Sequence, residues 1–91
     1  MARDDQLYSG FVRHDYLLTF SVAEPEARAR LVALCAGPWQ GDEVTPNTWE
    51  VSNELSPDAM ETAIVEHLSD GDQAAYYYLA SAKRLFRVVL R

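Results

Sequence analysis

The chain has 91 residues, 48% of them apolar and 24% charged, with 8 Lys and Arg set against 14 Asp and Glu for a formal net charge of −6. That length fits one domain, in which only about 60–65% of the unfolded surface is buried, so a lone monomer is marginal and dimerisation is the natural remedy. The ordinary apolar fraction, the absence of any apolar run near the ~20 residues of a membrane span and the negative balance together exclude a membrane-spanning helix and argue against broad binding to phosphate backbones, which needs a basic face.

Positions 1 to 11 carry Arg3, Asp4 and Asp5 and no continuous apolar segment, so no secretory signal is expected and the cytosol is the expected compartment. The single cysteine, Cys35, has no second Cys for a disulfide and no Cys or His at metal-ligand spacing, and reads as a small buried side chain on a helix. Charge is unevenly spread. Nine acids lie between Asp42 and Asp72 with no Lys or Arg among them, whereas Lys83, Arg84, Arg87 and Arg91, half of all the basic residues, fall in the last nine positions.

In chain order, residues 1–11 read as a loose arm with a turn signal at Ser9-Gly10. A strand follows from about Val12 to Val22, with Tyr16, Leu18, Phe20 and Val22 on one face and Leu17, Thr19 and Ser21 on the other. Glu24-Pro25-Glu26 opens a helix whose stripe is Ala27, Leu31, Leu34 and Cys35 and which Gly37-Pro38 ends. Trp39–Val44 and Thr48–Asn53, joined by Thr45-Pro46-Asn47, form a hairpin. Ser56 caps a second helix with Pro57 at its first position, a stripe of Met60, Ala63, Ile64, His67 and Leu68, and Gly71 as its stop. Ala74–Ala80, with Tyr76, Tyr77 and Tyr78, is a further strand; after a turn at Ser81–Arg84, Leu85–Leu90 makes a last one on which Phe86, Val88 and Leu90 share a face. The order is βαββαβ plus one C-terminal strand. It implies an α+β domain with an antiparallel sheet and both helices on one face, the ferredoxin-like arrangement.

Three stretches give this order a resemblance: Tyr16–Val22, then Thr48-Trp49-Glu50-Val51-Ser52 with Leu55-Ser56-Pro57-Asp58, and the acidic loop at Asp70 opening into the strand that ends at Leu79. Together the chain resembles the small CRISPR-associated nuclease family (Cas-two-like) and its SinR-like relatives, over most of its length. The resemblance implies a homodimer with the C-terminal strand in the dimer contact. It also implies a metal-binding aspartate at the end of the first strand, and there the chain departs, because Phe20 is followed by Ser21. A neutral hydroxyl is a poor ligand for Mg²⁺. Asp15 stands a strand length away, and Glu24, beside Pro25, reads as a solvated first-turn acid.

The expectation is therefore a homodimeric binding or regulatory module without catalytic residues, cofactor or metal, in which Arg84, Phe86, Arg87, Val88 and Leu90 form the interface by pairing on the partner's sheet edge. One alternative is an endonuclease of antitoxin or CRISPR type, dependent on Mg²⁺ or Mn²⁺ and drawing on carboxylates such as Asp42, Glu43, Glu54 and Asp72. Another makes the acidic surface of Glu50, Glu54, Glu61 and Glu66 the site, for a basic protein partner or as a nucleic-acid mimic. Whether nucleic acid is bound is left open by the sequence. The tyrosine run reads as core rather than a base-stacking platform, and His14 and His67 as structural.

Overall fold

A computed structural model describes residues 13–79 and 84–91. The expected arm at 1–11 lies outside the described residues, as do positions 80–83 of the last turn. Strand β1 (His14–Ser21) leads to helix α1 (Pro25–Ala36), the hairpin β2 (Asp42–Thr45) and β3 (Thr48–Asn53), helix α2 (Pro57–Val65), and strands β4 (Gln73–Leu79) and β5 (Arg84–Leu90). The five strands form one sheet in the order β2-β3-β1-β4-β5, and every neighbouring pair is antiparallel. The protein is a small α+β domain whose fifth strand extends the sheet beyond a bare βαββαβ unit. Within the described residues, no helix is long and apolar enough to cross a membrane.

The alternation of β1 decides which face is covered. Tyr16, Leu18 and Phe20 are buried with Trp49 and Val51 of β3 and Ala74 and Tyr76 of β4. Ala27, Leu31 and Cys35 of α1 and Met60 and Ile64 of α2 complete the same cluster, so both helices lie on one side of the sheet. Pro25 starts α1, and Gly37, whose N–H reaches the Ala33 carbonyl at 3.0 Å, ends it. The chain then folds back on that last turn: the Gly41 N–H donates to the Cys35 carbonyl at 2.7 Å, and a Cβ at Gly41 would meet that oxygen at 2.7 Å and the Glu50 carbonyl at 2.9 Å. Only glycine fits there.

Three local boundaries differ from the sequence expectation. The first hairpin arm begins at Asp42, not Trp39; Trp39 is buried and its carbonyl accepts the Ser52 N–H at 2.8 Å. The hairpin turn is the two residues Pro46-Asn47, with proline fixing its own φ and Asn47 taking φ 69°, the pairing that a type II turn favours. Helix α2 stops at Val65 rather than running to Gly71. Its first turn is as expected, with the Ala59 N–H donating to Ser56 Oγ at 3.3 Å. Leu68 remains in the core through further turns, and Gly71, at φ 91°, serves the loop into β4.

Candidate interaction surface

Both helices cover one side; among the described residues nothing covers the other, and its composition can be read off the register row by row. One row crosses all five strands as Asp42, Glu50, Leu17, Tyr77, Phe86. The next is Thr48, Thr19, Ala75, Val88, and the row beyond it is Ser21, Gln73, Leu90. On the opposite flank run Ser52, Asp15, Leu79 and Arg84. The face thus grades from mostly acidic and hydroxylic on β2, β3 and β1 to mostly apolar on β4 and β5, with Gln73 and Arg84 at the strand ends.

The polar half follows the ordinary rule for a sheet wetted on one side. Thr19 and Thr48 bridge through their hydroxyls at 3.1 Å, and Arg13 donates from Nε to Ser52 Oγ at 3.3 Å and from a terminal nitrogen to the Ser52 carbonyl. The apolar half breaks the rule. Phe86 is 59% exposed, Val88 56% and Leu90 67%, with Leu17 and Leu79 at 37%. Tyr77 stands beside Phe86 with ring centroids 5.7 Å apart, so an aromatic pair sits on the open face.

The same strands behave differently on their inner side. Arg87 alternates away from Phe86 and Val88 toward α2, where one terminal nitrogen bonds Glu61 Oε1 at 3.0 Å and Asp58 Oδ1 at 3.2 Å. Those hydrogen bonds, Glu61 first, hold the guanidinium above its ordinary pKa. Tyr76 joins the group, its hydroxyl donating to the Pro57 carbonyl at 2.9 Å and lying 3.4 Å from Glu61. Burial raises the Tyr76 pKa, Arg87 works against that rise, and Glu61 adds to it. Ser56, Pro57, Asp58, Tyr78, Leu85 and Arg87 line an open cavity of about 360 Å³ beside this cluster. Tyr78 in its wall packs on Tyr16, with ring centroids 5.3 Å apart, and its hydroxyl meets His14 Nδ1 at 2.7 Å.

Of the expected interface set, Phe86, Val88 and Leu90 thus share the open face, while Arg87 lies behind the sheet in an ion pair within its own chain. Arg84 opens β5 in register with Leu79. The four expected surface acids are divided. Glu50 is on the open face opposite Asp42, Glu61 holds Arg87, Glu54 is exposed after β3, and Glu66 is exposed at the C-cap of α2. The sheet itself separates Glu50 from the pair on α2.

Ser21 is exposed at the end of β1 opposite Gln73. The neighbouring carboxylate, Asp72, is buried and engaged, its two oxygens accepting the N–H groups of Ala23 at 3.1 Å and Ser69 at 2.8 Å. Glu24 is the exposed N-cap of α1 and makes no side-chain cap bond. Among the described residues no three His, Cys, Asp or Glu side chains gather at distances that suit a metal ion. Cys35 is buried and its thiol is pushed up to about 12 by loss of solvent.

Sequence reasoning had missed Leu17, Tyr77 and Leu79 as members of the open apolar face. A signal was present: Ala75-Tyr76-Tyr77-Tyr78-Leu79 and Leu85-Phe86 are apolar at both parities, the mark of strands with no wholly polar face. No family model matches the chain, and no curated protein matches it.

Proposed function

We propose that this protein is a homodimeric binding or regulatory module with a ferredoxin-like fold of the Cas-two-like and SinR-like type, acting through protein contacts rather than through metal-dependent cleavage. The sheet order supports the fold reading: with β5 set aside, β4-β1-β3-β2 with two helices on one face is the split βαβ arrangement. The observation that carries the functional reading is the end of β1. A metal-dependent nuclease of this type needs an available carboxylate there, and the chain has the hydroxyl of Ser21 beside Gln73. The adjacent Asp72 is buried and both its oxygens already accept backbone N–H groups, so it is not a free carboxylate offered at the surface.

The test has two parts. Sedimentation equilibrium at micromolar concentration is expected to give twice the chain mass. Labelled single- and double-stranded RNA and DNA, incubated with the protein and Mg²⁺ or Mn²⁺, are expected to stay intact. Cleavage that disappears in Asp72→Asn but survives in Ser21→Ala would overturn the reading in favour of an enzyme.

A further inference from the structure

We propose that the cavity between the first turn of α2 and β5 binds a free α-amino acid with a large apolar side chain, its carboxylate on Arg87, its ammonium on Asp58 and its side chain against Pro57, Tyr78 and Leu85. This rests on the binding and regulatory reading above, to which it adds a ligand, and it does not need a second copy of the chain.

The site lies where α2 meets the last strand. On the inner face β4 and β5 pair Tyr76 with Arg87 and Tyr78 with Leu85. The first of these rows is taken up by α2, through the Tyr76 hydroxyl on the Pro57 carbonyl and through Arg87 on Asp58 and Glu61. The second row leaves Tyr78 and Leu85 half-buried, as a wall beside Pro57. The volume of about 360 Å³ is at the lower end of the ~300–1,000 Å³ of small-molecule sites, so the occupant is small.

The rim decides its charge. Arg87 and Asp58 both line the cavity with opposite charges 3.2 Å apart, and their side chains are 38% and 87% exposed. One terminal nitrogen of Arg87 carries both ion pairs, so among the described residues Nε and the other terminal nitrogen have no acceptor. Asp58 Oδ1 takes that first nitrogen, and Oδ2 has no donor among the described residues. Glu61 adds a second negative charge and the N-terminus of α2 about half a positive one, which leaves the rim within about one charge of neutral. A ligand with a single charge would meet an attractive and a repulsive partner at nearly the same distance. A ligand whose two opposite charges flank one carbon answers both, and an α-amino acid is built that way. Charge-assisted hydrogen bonds are about twice as strong as neutral ones, which places an amide behind it.

The wall decides the side chain. The Tyr78 hydroxyl is engaged with His14 Nδ1 at 2.7 Å, and Ser56 Oγ with the Ala59 N–H at 3.3 Å. What remains on offer from Pro57, Tyr78 and Leu85 is ring and aliphatic carbon, which favours a large apolar side chain over a polar one.

The experiment titrates the isotope-labelled full chain with L-phenylalanine and L-leucine and follows the amide shifts. Glycine, N-acetyl-L-phenylalanine and phenethylamine serve as controls that lack the side chain, the ammonium and the carboxylate in turn. Both amino acids are expected to saturate with a dissociation constant of about 0.1–1 mM, the range open to a ligand of about a dozen heavy atoms, and to shift Asp58 and Leu85. Each control is expected to bind at least about tenfold more weakly. Asp58→Asn, with far-UV circular dichroism as the check on folding, is expected to weaken L-phenylalanine about tenfold and to leave N-acetyl-L-phenylalanine within about threefold, so that the gap between the two closes. Arg87→Gln is expected to weaken both; if it does not fold, Asp58→Asn decides alone, because its carboxylate is 87% exposed. No shift at about 10 mM amino acid, a control that binds as tightly as L-phenylalanine, or a gap that stays open in Asp58→Asn each overturns the proposal. Any of these leaves the binding reading standing on its sedimentation and cleavage tests, whereas cleavage of nucleic acid strikes that reading and leaves a measured amino-acid affinity in place.

Discussion

Asp72 and Ala23 are 49 positions apart in the chain, yet the carboxylate of one closes the end of the sheet on the backbone N–H of the other at 3.1 Å. The second carboxylate oxygen takes the Ser69 N–H at 2.8 Å, and the Asp72 carbonyl accepts the Arg91 N–H at 3.1 Å. One buried residue thus ties together the exit of β1, the loop before β4 and the end of β5. Replacing Asp72 with Ala leaves two N–H groups without their acceptor and is expected to cost about 2–4 kcal/mol, read from the urea midpoint. Asp72→Asn keeps one acceptor oxygen and is expected to fall between the two. An Asp72→Ala protein with wild-type stability would show that these bonds do not hold the three segments together.

Gly41 is fixed by its neighbours rather than by its torsion angles. A methyl group would stand 2.7 Å from the Cys35 carbonyl, 2.8 Å from Val51 Cγ1 and 2.9 Å from the Glu50 carbonyl, and two of those atoms are backbone. Gly41→Ala is expected to destabilise by at least about 2 kcal/mol, within the usual range for overpacking. Gly71→Ala has open space around it but must hold φ 91°, so its cost is backbone strain, about 1 kcal/mol. Thermal unfolding of the two variants should rank them in that order.

Stability should decline on the alkaline side. Burial raises the Cys35 thiol to about 12 and raises the Tyr16 phenol further, helped by Tyr78 and Tyr76, while Tyr76 is raised as well. In the unfolded chain the thiol ionises near pH ~8.5 and the phenols near ~10. The protonated forms are the ones the fold favours, so this stability is fully present below about pH 8.5 and is lost as pH climbs toward the folded values. The urea midpoint is expected to be level from about pH 7 to 8 and to fall from about pH 9 upward, with Cys35→Ala flattening the early part of that fall. A thiol reagent should modify Cys35 at the unfolding rate, because the buried side chain offers little thiolate before then.

The cap of α2 gives a smaller effect. Ser56 Oγ accepts the Ala59 N–H at 3.3 Å, and Pro57 and Asp58 complete the first turn. Ser56→Ala is expected to cost about 1 kcal/mol and Ser56→Asp to be close to neutral, by chemical denaturation. Loss beyond about 2 kcal/mol would mean that Ser56 also serves the adjoining cavity wall.

Local chemistry alone was enough to locate most elements. Alternation in Tyr16–Phe20 gave β1 its buried face, Pro25 and Gly37-Pro38 bounded α1, and Ser56-Pro57 started α2, because each of those signals acts within a few residues of itself. The stop of α2 was not legible, since Leu68 and His67 keep the helical spacing after the helix has ended, and the core accepts Leu68 from a turn as readily as from a helix. The Trp39 arm was misjudged for a similar reason: the indole is buried by packing against the sheet without being part of it.

Alternation along the chain was enough to show that Phe86, Val88 and Leu90 share a face and that Ser21 stands near the end of the first strand, which was expected to run to Val22 and stops at Ser21. Tertiary structure decided what those facts mean. Strand register, a property of two segments at once, put Tyr77 beside Phe86 and Leu17 beside Tyr77, and made one apolar half-face from residues spread over three strands. The placement of both helices on one side left that half-face uncovered by any other described residue. The same alternation turned Arg87 inward to Glu61 and Asp58, where the acidic middle and the basic end of the chain meet within one molecule. At the end of β1, folding engaged Asp72 with two backbone N–H groups. A position in the chain fixes which side chain is available, and only the fold fixes what is already bonded to it.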